Sequence, residues 1–115
     1  AVEGLVKSLA AEFAPKIRVN AIAPSLIDTP LASGILRSEQ IKENMIAKHP
    51  LKRILNPIDV SKTACFLLSE DSNGITGQII VQDNGLVSLN ICIDVKKQIK
   101  YGSNLVEYIS LGITI

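Results

Sequence analysis

Apolar residues Val2, Leu5, Val6, Leu9 and Phe13 recur at spacings of three and four, with Glu3, Lys7, Ser8 and Glu12 between them. That period predicts an amphipathic helix, already under way at the first residues and ending near Ala14. Pro15 stops it, because proline lacks an N–H and its ring clashes with the preceding turn. Over residues 17–23 the period shortens: Ile17, Val19, Ala21 and Ala23 alternate with Arg18 and Asn20, and Ile22 makes the second face apolar as well. A short strand covered on both faces is predicted, as in a parallel sheet flanked by helices.

Residues 24–30, Pro-Ser-Leu-Ile-Asp-Thr-Pro, read as loop, since both Pro24 and Pro30 cannot sit inside regular structure. Asp28 or Thr29 is a candidate cap for a short helix with Pro30 at its first position. A second helix is expected from the Ser38 cap, with Ile41, Met45 and Ile46 on one face, fading at His49-Pro50. The third has the best-marked start: Asn56 as cap, Pro57 at the first turn and Asp59 near the helix N-terminus, followed by Val60, Ala64, Phe66, Leu67 and Leu68. A polar turn over 69–74 ends it, and 78–81 is a second buried-strand candidate before the Asp83-Asn84-Gly85 turn. Strand, helices, strand is the order of a βαβ unit, so the predicted class is α/β with a parallel sheet. Beyond Gly85 the isoleucine-rich residues 86–115 carry mixed periodicity and no clear caps.

Composition narrows the function classes. The chain has 115 residues, 47% hydrophobic and 20% charged, with a net charge of +1, as expected of a globular domain or a piece of one. Basic residues are scattered rather than clustered, which argues against nucleic acid as the main partner. Cys65 and Cys92 are too few for a disulfide scaffold, and His49 has no cysteine or histidine nearby to build a zinc site. No apolar run reaches the roughly 18 residues of a membrane span. His49 reads as a surface residue at a helix end, Cys65 as a small core residue, Cys92 as unreactive, and Lys96, Lys97 and Lys100 as a solvated face. The opening Ala-Val-Glu-Gly, without Met and already in helical pattern, reads as lacking the true beginning.

Ligands of open parallel sheets bind outside the carboxyl ends of the strands, which makes the loop 24–30 the leading candidate site. Its backbone at Leu26 and Ile27 and the Thr29 hydroxyl suit a polar or phosphorylated ligand. The competing reading is that Asp28-Thr29-Pro30 only caps a helix.

At this loop the chain resembles a known family. Arg18-Val-Asn-Ala-Ile-Ala-Pro-Ser-Leu-Ile-Asp-Thr-Pro30 is similar to the segment after the active-site helix of the short-chain dehydrogenases/reductases (SDR). Ala1-Val-Glu-Gly-Leu-Val-Lys-Ser-Leu-Ala-Ala-Glu12 resembles the helix that follows that family's Tyr-x-x-x-Lys pair, which would lie just upstream. Pro50-Leu-Lys-Arg-Ile54, Asn56-Pro-Ile-Asp-Val60, Cys65-Phe-Leu-Leu-Ser69 and Ile75-Thr-Gly-Gln78 resemble further blocks in the same order.

The resemblance implies that residues 1–90 are the C-terminal part of a Rossmann-type doubly wound parallel sheet, with 91–115 a divergent tail. It implies an NAD- or NADP-dependent oxidoreductase passing hydride to or from a small carbonyl or alcohol substrate, cytoplasmic and homo-oligomeric as a dimer or tetramer. Ile27 would hold the nicotinamide carboxamide through its backbone, Pro24 would shape that turn, and Thr29 would meet the cofactor phosphates. Asn20 would steady the strand end. Residues 31–50 would form the substrate lid, with Leu31, Ile35, Leu36 and Met45 shaping the pocket. The first helix, and the third helix with the second strand, would pair subunits.

Several positions depart from the family pattern. Glycines expected by resemblance are replaced at Ser25, Leu55 and Asn84, with strain expected at Leu55 and tolerance at Asn84. Ile58 stands where an acidic residue is usual, and Gln82 where the strand would bury an apolar one. No Gly-x-x-x-Gly-x-Gly loop and no Tyr-x-x-x-Lys occur in these residues, so the chain alone is expected to be inactive, with no catalytic residue of its own. The alternative from a different class is a non-catalytic oligomerisation or interaction remnant of the family. Apolar faces built to meet a larger sheet would favour association.

Overall fold

The computed structural model describes residues 1–87 and 89. The tail 91–115, with Cys92 and the Lys96, Lys97 and Lys100 cluster, lies outside the described residues. Helix α1 covers Val2–Phe13, strand β1 Ala21–Pro24, helix α2 Glu39–Lys48, helix α3 Pro57–Leu68 and strand β2 Ile79–Gln82. Short 3-10 turns occupy Ala32–Gly34 and Glu70–Ser72. Strands β1 and β2 pair in parallel, Ala21 opposite Ile79 and Pro24 opposite Gln82. Parallel neighbours require a crossover, here supplied by α2 and α3, so the described residues form an α/β unit.

Local chemistry explains the best-defined element. At the start of α3 the Asn56 N–H donates to Asp59 Oδ2 at 2.8 Å, and Pro57 fills a first-turn position where no N–H is needed. Arg53 pairs with the same Asp59 carboxylate. Helix α1 ends where the sequence predicts: Ala14 turns extended, with φ −63° and ψ 145°, before Pro15.

Strand β1 is shorter than the sequence suggests. Val19 and Asn20 bond to the residues before β2 outside the regular ladder, where Gly77 takes a left-handed φ of 71°. The Gly77 N–H donates to the Val19 carbonyl at 2.7 Å, Val19 N–H to Thr76 Oγ1 at 3.1 Å, and the Gln78 N–H to Asn20 Oδ1 at 3.1 Å. Asn20 therefore does brace the strand entrance, by side-chain bonds rather than by strand pairing.

The buried apolar set is small: Val6 and Ala10 on α1, Ala32, Ile54, Leu55, and Leu67 on α3. Cys65, expected in the core, is exposed. The run 64–68 is apolar on every side, and periodicity alone does not choose its inward face; Leu67 is the residue that α3 buries. Large apolar side chains stay open to solvent, among them Val2 and Leu5 on α1 at 66% and 57%, and Leu68 on α3 at 85%.

Candidate active site

The site is built where β1 and β2 end side by side. The Ser25 N–H donates to the Gln82 carbonyl at 3.1 Å, carrying the parallel ladder one residue past β1. The chain then runs beside Leu55, whose N–H donates to the Leu26 carbonyl at 3.3 Å and whose carbonyl accepts from the Asp28 N–H at 2.8 Å. In such a parallel bridge the middle residue turns its own N–H and C=O away from the partner. Both groups of Ile27 accordingly make no hydrogen bond among the described residues. One free donor and one free acceptor on a single residue complement a primary carboxamide, which offers one acceptor and an NH2.

Leu55 is 2% exposed and forms the floor under this pair. It carries no positive φ, so the strain expected there does not arise; the left-handed residues other than glycine are Lys52 at 53° and Asn84 at 52°. Asn84 tolerates that conformation and also donates from Nδ2 to the Arg53 carbonyl at 2.9 Å.

The Ala32 N–H reaches the Thr29 carbonyl at 3.0 Å and Thr29 Oγ1 at 3.3 Å, so Thr29 braces the approach to a three-residue 3-10 turn in place of the expected short helix, and the turn's own N-cap is Leu31. The hydroxyl proton of Thr29 is left to donate outward.

An open cleft of about 440 Å³ is lined by Ile27 and Thr29 together with Leu31, Ile35 and Ser25. Pro24 sits at the strand end beside the cleft without lining it, and Leu36 and Met45 are likewise not among its walls. Leu31 forms an outer edge, 93% exposed.

His49 corrects the sequence reading most sharply. Expected on the surface, it is 1% exposed, with Nδ1 2.6 Å from the Met45 carbonyl and Nε2 3.1 Å from Ser25 Oγ. Its partners are a helix carbonyl and a serine 24 residues earlier, a combination that leaves no trace in local pattern.

A family model described as Enoyl-(Acyl carrier protein) reductase matches residues 1–87. The chain is 43% identical over 88 residues to Short-chain dehydrogenase/reductase SDRA of Arabidopsis thaliana, covering 76% of this chain and 35% of that protein. The chain belongs to the short-chain dehydrogenase/reductase family.

This SDR chain is also 40% identical over 87 residues to 3-oxoacyl-(acyl-carrier-protein) reductase FabG of Thermotoga maritima, covering 75% of this chain and 35% of that one. Among solved structures it resembles 4-hydroxyisoleucine dehydrogenase complexed with NADH, with a TM-score of 0.71 and 30% identity over 76% of this chain and 36% of that chain. It therefore spans about a third of the length of the relatives it matches, and its fold is an α/β portion of the Rossmann-type SDR sheet. No helix among the described residues is long and apolar enough to cross a membrane. No three His, Cys, Asp or Glu side chains among them gather as a metal site.

Proposed function

We propose that this SDR chain is the C-terminal portion of an NAD- or NADP-dependent oxidoreductase acting on a small carbonyl or alcohol, and that its Ile27 backbone receives the nicotinamide carboxamide. The observation that carries this reading is the unpartnered N–H and C=O of Ile27, held rigidly because the flanking Leu26 carbonyl and Asp28 N–H are both committed to Leu55. When bound, the nicotinamide supplies the hydride that the carbonyl carbon accepts, or takes it from the alcohol carbon.

The chain's own residues bind and orient. Pro24 shapes the exit from β1, the Thr29 hydroxyl donates to a phosphate oxygen, and Leu31, Ile35, Leu36 and Met45 belong to a segment that covers the substrate. Residues 1–115 hold neither a Tyr-x-x-x-Lys pair, the family's proton donor by resemblance, nor a Gly-x-x-x-Gly-x-Gly loop. The chain by itself is accordingly inactive and binds dinucleotide weakly, in the millimolar range, since the pyrophosphate contacts are missing. The complete protein would act as a cytoplasmic homo-oligomer.

A second reading, a non-catalytic association module, is favoured by the open apolar side chains of α1 and α3, Leu5 at 57% and Leu68 at 85% exposed.

Titration of the 15N-labelled chain with NADH separates the two. The proposal expects shifts centred on the amides of Ile27 and Thr29; no shift there at millimolar NADH, with self-association through α1 and α3, supports the second reading instead.

A further inference from the structure

Helix α2 is held to the rest of the molecule in an unusual way: none of its residues is buried. A helix normally docks by a buried apolar stripe; here Met45 and Ile46 are only half-buried and Ile41 is exposed, so contacts at the helix ends help set its position. At the C-terminal end the Met45 carbonyl lies in the last turn, where helix carbonyls lose their regular partners; the His49 N–H goes to the Ile46 carbonyl at 3.2 Å. The His49 ring takes up the Met45 carbonyl at 2.6 Å. A carbonyl only accepts, so Nδ1 carries the proton, and in the neutral ring Nε2 is then an acceptor for the Ser25 hydroxyl at 3.1 Å.

The backbone on either side of this contact is fixed to the sheet ends. Leu51 N–H donates to the Asn84 carbonyl at 3.1 Å, just past β2, and Ser25 N–H donates to Gln82. The ring, 1% exposed, thus sits between the end of α2 and Ser25, which lies just past β1 and two residues before Ile27.

We infer that His49 is a positioning residue, coupling helix α2 to the Ile27 loop through the Ser25 hydroxyl hydrogen bond, so that the covering segment and the nicotinamide-binding backbone move as one. Its functional weight rests on the proposed reading of the Ile27 loop; the mechanical coupling does not.

The test uses the full chain and hydrogen exchange followed by NMR. Ser25→Ala removes the hydroxyl with little change in volume and should accelerate exchange about fivefold both at Lys48 and His49 and at Asp28 and Leu55, the loss of one hydrogen bond felt at two elements. Exchange at Ala10 of α1 and at Ala14, its C-cap, should not change, and Ser25→Thr, which keeps the hydroxyl, should restore the slow rates. In the unsubstituted chain the imidazole 15N shifts should report Nδ1 protonated and Nε2 bare. Acceleration at only one element, at neither, or equally in α1, or a neutral ring protonated on Nε2, would overturn the coupling.

A second arm adds NADH. Shifts should spread from Ile27 into α2 in the unsubstituted chain and stop at the loop in Ser25→Ala; spreading alike in both contradicts the positioning role. Should NADH leave Ile27 unmoved, the nicotinamide reading fails while the exchange data still decide the coupling.

Discussion

Arg18 and Ser72 are joined across 54 residues by a 2.8 Å hydrogen bond from Nη1 to the Ser72 carbonyl, and the same guanidinium donates to the carbonyls of Leu67, Ser69 and Ile75. One planar fork thus ties the approach to β1 to the end of α3 and the turn before β2. Replacing Arg18 by Met leaves these carbonyls without their donor and should cost about 3 kcal/mol in urea unfolding. Arg18→Lys should recover little, since a single ammonium cannot reproduce the spread of the fork.

Leu55 supports the proposed site from beneath. It is 2% exposed, and its backbone holds both neighbours of Ile27. Leu55→Ala should destabilise the chain by about 2–5 kcal/mol, through lost burial and the cavity left behind. The same unfolding curve measures it.

Gly85 disfavours substitution for two reasons. Its φ is +84°, and an added Cβ would lie 2.8 Å from Leu89 Cδ1 and 3.1 Å from Pro50 Cβ. Gly85→Ala should lower stability by roughly 1–3 kcal/mol, backbone strain adding to the clash. Asn84→Gly, which keeps access to the left-handed region and loses only the bond to Arg53, should cost less.

Gln82 carries an unsatisfied oxygen. Its Nε2 donates to the Asp59 carbonyl at 3.0 Å, but its buried Oε1 has no partner among the described residues. Gln82→Met removes the orphan acceptor together with one modest bond, and should leave stability within about 1 kcal/mol or raise it.

Legibility in the sequence followed the range of the interactions. Helices α1 and α3 could be read because their signals are local: the apolar spacing from Val2 to Phe13, and the Asn56-Pro57-Asp59 start that the structure uses as a cap. The loop after β1 was legible as a place, since it leaves a strand whose carboxyl end faces the sheet edge. The limits of β1 are not, because the bonds that flank its start, from Gly77 to Val19 and from Gln78 to Asn20, each span 58 residues and no alternation pattern encodes them. The burial of His49 is illegible for the same reason: it depends on Ser25 and on the orphan carbonyl of Met45. Cys65 reads as inward in the sequence because an apolar run has no polar face to orient it. Of the expected covering residues, Leu31 and Ile35 reach the cleft, whereas Leu36 and Met45 do not.

The central proposal is that the free N–H and C=O of Ile27 grip a carboxamide. Its most direct test compares NADH with the reduced 3-acetylpyridine analogue, which keeps the exocyclic carbonyl acceptor and lacks the amide N–H, while following the Ile27 amide nitrogen and carbonyl carbon by NMR. With NADH both signals should move, and with the analogue the amide should move while the carbonyl stays in place. Identical responses to the two dinucleotides, or no response at Ile27 to either, would contradict it.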